Sequence, residues 1–137
     1  MFDLMLTANP PFHINYFLHF EKMVDNEIIF LYVWAVVIDI VTGFAKSIKT
    51  RHITSTKGLN GLLKHVALMI LILTIYPVLD ILKWNTEANI FVTFYILFYV
   101  VSIIENLGQM GIPFPEWLKK YLYKLSDEYN QGPKDKK

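Results

Sequence analysis

Three carboxylates interrupt otherwise apolar stretches of the 137-residue sequence, and they are its strongest candidates for chemistry. A charged side chain at the centre of a membrane-spanning helix costs roughly 2.5–3.5 kcal/mol, so each acid needs a reason to be there. Asp39 lies deep in its stretch, seven residues before Lys46. Glu105 lies near the end of its stretch, as an interfacial carboxylate would. Asp80, three residues before Lys83, can pair locally, lie at the interface or bind between helices.

Small residues flank Asp39 at helical spacing, with Ala35 four positions before it and Gly43 four positions after it. Such residues let two membrane helices approach closely, and a carboxyl group can then hydrogen-bond across the contact. A carboxyl group that is protonated in lipid and ionised in water would also report on the assembly state. The stripe is therefore interpreted either as an oligomerisation surface or as a buried contact in a static bundle.

A second polar stripe lies in the last apolar stretch, where Tyr95, Tyr99, Ser102 and Asn106 follow one another at helical spacing with Glu105 beside them. Spacings of four, three and four residues place the first four on one helix face. Two interpretations stay open, a weakly polar pore lining and a contact between helices.

The sequence lacks any constellation for covalent catalysis. It has no cysteine, and its histidines (His13, His19, His52 and His65) form no pair at metal-ligand spacing. The motifs of serine hydrolases, zinc proteases and phosphate-binding loops are absent. We therefore predict no enzyme, no catalytic residue, no cofactor and no metal site. A net charge of +1 also argues against nucleic acid as a partner.

Three apolar blocks must position these residues, at about 28–45, 66–82 and 89–107. A helix rises about 1.5 Å per residue, so blocks of this length are near the minimum that spans a bilayer. None shows the period-two alternation of a barrel strand, and only helices or closed barrels satisfy the backbone in lipid. The predicted fold is an all-α integral membrane protein whose three transmembrane helices form a domain of residues 28–112.

The flanking segments are predicted to lie at the membrane surfaces. Residues 1–27 form an outer-face segment, and its aromatic-rich part, 12–24, is expected as an interfacial helix. A fourth membrane segment there is the alternative. The segment does not read as a cleaved signal peptide, since it contains Asp3 and two prolines. Residues 113–137 are predicted to form an amphipathic helix on the anionic inner leaflet, followed by a disordered basic tail.

Basic residues set the predicted orientation. Lys46, Lys49, Arg51, Lys57 and Lys64 lie between the first two blocks, with no acidic residue among them. The positive-inside rule places this loop and the C-terminal tail in the cytoplasm, and the N-terminus and second loop outside. Three spans require the termini to lie on opposite sides, which agrees with this assignment.

Two segments carry a family resemblance. DIVTGFAKSIKTRHITSTKGLNGLLKHVALMI contains Asp–x–x–x–Gly, a basic stretch and Ser–x–x–Gly–x–x–Gly, and SIIENLGQMGIPFPEWLKKYL contains Ser–Ile–x–Glu–Asn and Gly–x–Pro–x–Pro. In order and spacing they resemble the phage lysis and toxin-secretion holin family of Gram-positive bacteria and their phages. The matching positions are Asp39, Gly43, Ser55, Gly58, Gly61, Lys64, Ser102, Glu105, Asn106, Gly111, Pro113 and Pro115. Gly58 and Gly61 are interpreted as a turn or as the start of the second span. His65 stands where the family commonly has a second basic residue.

The resemblance implies a protein that oligomerises in the bacterial cytoplasmic membrane and forms timed lesions. Such lesions depolarise the membrane and release or activate an endolysin, with which no direct contact is required, or release a toxin. An antiholin that inserts without permeabilising, an anchoring subunit and a small selective channel are the alternatives. The last is disfavoured, because no filter-like carbonyl loop or ring of charges is visible.

Overall fold

The structure, a computed structural model, describes residues 9–51 and 55–130, and these form five α-helices joined by short turns. In chain order they are α1 (Phe12–Val24), α2 (Glu27–Lys49), α3 (Ser55–Ile81), α4 (Asn85–Gln109) and α5 (Glu116–Asn130). The predicted disordered tail, GPKDKK at 132–137, lies outside the described residues, as does the side chain of Ser55.

Three of the helices are long and apolar enough to cross a membrane. They comprise Glu27–Lys49, Gly58–Ile81 and Asn85–Gln109, with 23, 24 and 25 residues. Each is therefore roughly 35 Å long, enough for a hydrocarbon core of about 30 Å. Their surfaces expose large apolar side chains such as Phe44 and Ile90, which are stable in lipid rather than in water. The predicted all-α fold with three transmembrane helices is confirmed.

Helix α3 begins eleven residues before the predicted span, at Ser55 instead of Val66. Gly58 and Gly61 lie in the first two turns of this helix. A glycine inside a helix costs only about 1 kcal/mol, so two of them do not stop a helix that is supported elsewhere. A Cβ atom added at either position would meet nothing within 4 Å. Lys64 is exposed further along this helix.

Two tight connections define one end of the bundle. Asn26 caps α2, since its side-chain oxygen accepts hydrogen bonds from the backbone N–H groups of Ile28 (2.9 Å) and Ile29 (3.4 Å). At the same end α3 turns into α4 through residues 82–84, with Lys83 in the left-handed region. We call this the outer end, following the predicted orientation, and the opposite end the inner end.

The helices pack in two main pairs, α2 against α4 and α1 against α3. The interior is built chiefly from α2 and α4, and its fully or nearly fully buried side chains include Tyr32, Val36, Ala88, Val92 and Tyr99. Fewer residues of α3 are buried, chiefly Ile72, Tyr76 and Pro77 towards its outer end. The second span is therefore the least enclosed of the three.

At the inner end a loop separates α4 from α5, as the sequence predicted for Gly111, Pro113 and Pro115. Gly111 has φ +90°, a backbone conformation that favours glycine. The Lys49 ammonium group donates to the Met110 carbonyl and so ties the end of α2 to the end of α4. The predicted amphipathic helix is present as α5, and its placement on a membrane surface stays a prediction.

The glycines give a matched pair of stability predictions. Gly111→Ala should destabilise the protein by about 1–2 kcal/mol, because it places a Cβ in the left-handed region. Gly61→Ala makes the same chemical change in an open helical position and should stabilise by about 0.5–1 kcal/mol. The midpoint of SDS-induced unfolding in micelles, followed by circular dichroism, measures both. Equal shifts in the two variants would contradict the backbone conformation assigned to Gly111.

Candidate functional site

The candidate site is a polar cluster buried between the three spans near their inner end. Asp39 lies ten residues before the end of α2, and His65 lies ten residues after the start of α3. Because these helices run in opposite directions, the two positions come to the same depth. Asn106 of α4 completes the cluster three residues before that helix ends. Each span therefore contributes one polar side chain to the same level.

Asp39 is the centre of this cluster, and its side chain is only 4% exposed. The Asn106 amide donates to one carboxylate oxygen at 3.2 Å and lies 3.4 Å from the Thr42 hydroxyl. A Cβ atom at Gly43 would lie 3.5 Å from the same amide nitrogen, so this glycine sits directly at the contact. Ala35 is buried on the same helix face. The small–polar–small stripe of α2 thus packs against α4 in the single chain.

His65 of α3 faces the Asp39 carboxylate from the neighbouring span. Its Nε2 atom lies 3.6 Å from the second Asp39 oxygen, and its Nδ1 atom lies 3.2 Å from the Tyr99 hydroxyl. The contact between His65 and Tyr99 is a hydrogen bond, whereas the His65 and Asp39 side chains lie side by side beyond hydrogen-bond distance. The polar imidazole nevertheless lies beside the carboxylate, and an isolated buried carboxylate would be costly.

Tyr99 joins the cluster to the core above it. It is buried, and its ring lies 5.9 Å from the Tyr32 ring and 5.5 Å from the His65 ring, centroid to centroid. Of the α4 stripe, Tyr99 and Asn106 are buried, while Tyr95 and Ser102 are half-buried. In the single chain the stripe therefore contributes to contacts between helices. Its lining of a pore, like the oligomerisation role of both stripes, stays a prediction.

Glu105 points away from the cluster and is exposed at the inner end. There it lies beside Tyr123 of α5. Partial desolvation raises the pKa of the Tyr123 hydroxyl, and the charge of Glu105 and a hydrogen bond to it raise that pKa further. Glu105 therefore helps to attach α5 to the end of α4.

A second set of polar contacts lies at the outer end. The Asp80 carboxylate binds Nδ1 of His19 on α1, so this acid binds between helices. Nearby, the Asn26 amide donates to the Tyr76 hydroxyl at 2.8 Å, and that hydroxyl donates to Asn89 at 2.7 Å. The outer contacts thus join α1, the start of α2, α3 and α4.

Sequence reasoning missed His65 as a site residue, and the reason lies in the helix boundary. With the second span starting at Val66, His65 belongs to the membrane surface, where it resembles half of a basic anchor. With α3 starting at Ser55, the same residue lies about 15 Å along the helix and faces inward. One signal in the sequence could still have found His65. Asp39 has no basic residue within its own predicted span, and His65 stands directly before the next predicted span. The sequence held no comparable signal for the other polar residues in these contacts, which are Thr42, His19, Tyr76 and Asn89.

Among the described residues, no group of three histidine, aspartate or glutamate side chains lies close enough to hold a metal ion. What the cluster can do is join three helices through hydrogen bonds, from Asn106 to Asp39 between α4 and α2 and between His65 and Tyr99 of α3 and α4.

Comparison with known proteins gives a family match over most of the chain. The sequence model of the bacteriophage holin family matches residues 19–127. An uncharacterized protein of Clostridium perfringens is 34% identical over 110 residues, covering 77% of this chain and 79% of that protein. An uncharacterized protein of Halalkalibacterium halodurans is 37% identical over 91 residues, covering 62% and 67%. No solved structure matches the chain significantly.

The cluster predicts a measurable coupling between Asp39 and Asn106. Asn106→Leu removes the donor to a buried carboxylate and should destabilise the protein by roughly 1–3 kcal/mol. The double variant Asp39→Leu/Asn106→Leu should lose less than the sum of the single variants, with a coupling of about 0.6–1.7 kcal/mol. Unfolding midpoints in micelles give all four values. Strict additivity would show that the two side chains do not interact in the folded protein.

Proposed function

Because the chain belongs to the bacteriophage holin family, a family of non-enzymatic membrane proteins, we propose that it acts as a holin. It accumulates in the bacterial cytoplasmic membrane, oligomerises, and at a set time forms lesions that depolarise the membrane and let an endolysin or a toxin pass. The observation that carries this proposal is the buried Asp39 cluster inside a bundle with an apolar exterior.

The resting state follows from how polar groups are distributed. In the single chain the exposed side chains of the spans are predominantly apolar, while Asp39, Tyr99 and Asn106 are buried and bonded to one another or to His65. Such a bundle can accumulate in lipid without admitting water. A lesion wide enough for a protein needs walls that water can wet, and these polar residues can supply them.

In the proposed transition from the resting state to the lesion, the polar stripes of α2 and α4 lose their contacts with each other and gain contacts with water. When copies associate, the Asp39–Gly43 face and the Tyr99–Asn106 face separate within each chain and turn towards a shared water-filled space. Hydration of the carboxylate then replaces the hydrogen bond from Asn106 and the proximity of His65. In the step before this, when copies first associate, the small residues Ala35 and Gly43 let neighbouring backbones approach closely. The sparse packing around α3 lowers the barrier to this rearrangement.

The proposed topology places the N-terminus outside and the C-terminus in the cytoplasm, with the lysine-rich inner end on the cytoplasmic side. Lys46 and Lys49 lie in the last turn of α2, where they also face the negative end of the helix dipole. This arrangement keeps α5 and the basic tail at the anionic inner leaflet.

Expression of the chain alone tests the function. Induction in a bacterial host should produce an abrupt loss of membrane potential at a reproducible time, followed by lysis only when an endolysin is co-expressed. A potential-sensitive dye and culture turbidity measure the two events. Stable insertion without depolarisation would instead indicate an antiholin or an anchoring subunit.

The Asp39 carboxylate should control timing. Asp39→Asn keeps the size and hydrogen-bonding capacity of the side chain but cannot ionise, so the hydrated state gains less stability and lysis should start later or fail. Glu87→Gln is the matched control, because it removes a charge from an exposed position at the outer end of α4. Lysis times are compared at equal protein levels in the membrane. An unchanged time for Asp39→Asn would rule out ionisation of this residue as a step in the mechanism.

A further inference from the structure

Helix α1 is tied to α3 by two side-chain contacts along its length. His19 binds Asp80, and the Tyr16 hydroxyl donates to the Thr74 backbone carbonyl at 3.1 Å. Tyr16 contacts Thr74, and the later residue His19 contacts the later residue Asp80. The two helices therefore run parallel towards the outer end. A helix lying flat on the membrane would cross the end of the bundle and would reach only the last turn of α3.

The contacts also set the depth of α1. Thr74 lies seven residues before the end of α3, which corresponds to about 10 Å along the helix axis. Phe12 lies a further turn below Tyr16, so the start of α1 reaches roughly the middle of a hydrocarbon core about 30 Å thick. With 13 residues, α1 is about 20 Å long and too short to cross that core.

The exposed face of α1 matches this depth. Phe12 and Phe17 are 64% and 67% exposed, and Phe20 is also exposed. On α3, Ile70 (60% exposed) and Ile75 are also exposed, and they lie at depths comparable to those of the phenylalanines. Because α1 lies beside α3, the exposed side chains of both helices at one depth face the same surroundings. For a transmembrane helix such as α3, those surroundings are the acyl chains of the lipid.

The polar residues of α1 are ordered in the same way. Glu21 and Lys22 are exposed beyond His19, towards the outer end, where headgroups and water begin. Deeper in the helix the exposed side chains are those of Phe12 and Phe17, which are apolar, and of His13, which is polar. The charged residues Glu21 and Lys22 thus lie at the outer side of the helix, and the exposed phenylalanines Phe12 and Phe17 lie deeper.

From these observations we propose that α1 is a half-span, a helix embedded in the outer half of the membrane beside α3, with its phenylalanine face against lipid acyl chains. The His19–Asp80 pair holds it there, since each of these part-buried side chains supplies the other with a polar partner. This position replaces the predicted interfacial one, and it also differs from a complete fourth span. It holds whether or not the protein forms lesions.

The natural absence of cysteine makes the test direct, because one introduced thiol reports on one position. Phe12→Cys is compared with Glu21→Cys, which lies on the same helix closer to the outer end. Intact cells and inverted membrane vesicles are treated with a membrane-impermeant maleimide, then denatured, and the labelled fraction is measured. Both changed side chains are exposed, so the fold should tolerate them.

The half-span predicts that Glu21→Cys is labelled from one side only, and that Phe12→Cys is labelled from neither side until detergent is added. Labelling of both positions from the same side at similar rates would overturn the proposal in favour of a surface helix. Labelling of the two positions from opposite sides would overturn it in favour of a complete span.

The role of the pair is tested in the Phe12→Cys background. Asp80→Ala removes the partner of His19, so α1 should spend more time away from α3 and the labelled fraction should rise towards that of Glu21→Cys. Glu87→Gln serves as the charge-removing control and should leave labelling unchanged. No rise with Asp80→Ala would overturn the assignment of His19–Asp80 as the contact that holds α1.

Discussion

A polar side chain inside a lipid bilayer must find its partner within the protein, and in this chain Asp39 meets that constraint most severely. Its side chain is almost fully buried in the bundle, and an unpaired carboxylate there would destabilise the fold by several kcal/mol. Its partners come from the two other spans, a hydrogen bond from Asn106 and a histidine, His65, close by. The relative positions of three helices therefore depend on one acid, because each helix must present its polar residue at the same depth.

Lipid tails are as apolar as the side chains that face them, so the hydrophobic effect does little to hold these helices together. Close packing and hydrogen bonds hold the helices together instead, and the polar contacts between helices are concentrated in two places. The Asp39 cluster joins α2, α3 and α4 at the inner end. At the outer end, Asn26, Tyr76 and Asn89 form a hydrogen-bonded chain beside the His19–Asp80 pair. Between them α3 is only loosely enclosed, which is consistent with the rearrangement proposed above.

This distribution of polar contacts suits the function proposed above, in which the protein is inert for a time and then permeabilises the membrane. The polar contacts that stabilise the single chain are the same groups that can face water in an assembly, so little new chemistry is needed to change state. If α1 is a half-span, it covers part of α3 within the outer half of the membrane. Its docking then limits which surfaces of the single chain are open to a neighbour.

The amino-acid sequence by itself determined the three spans, because long apolar stretches can satisfy their backbone in lipid only as helices. It also identified Asp39 and Asn106 as unusual, since a deep acid and an amide are rare where solvation is poor. It failed on the start of α3, because Gly58, Gly61 and Lys64 do not by themselves stop a helix, and that error removed His65 from the site. Only the tertiary structure decided which polar residues come into contact. The depth of a side chain and the neighbour that it faces depend on how the three helices are shifted along, and rotated about, their axes. The same holds for α1, whose composition suits an interface and whose place beside α3 is set by contacts of His19 and Tyr16 with residues more than fifty positions away.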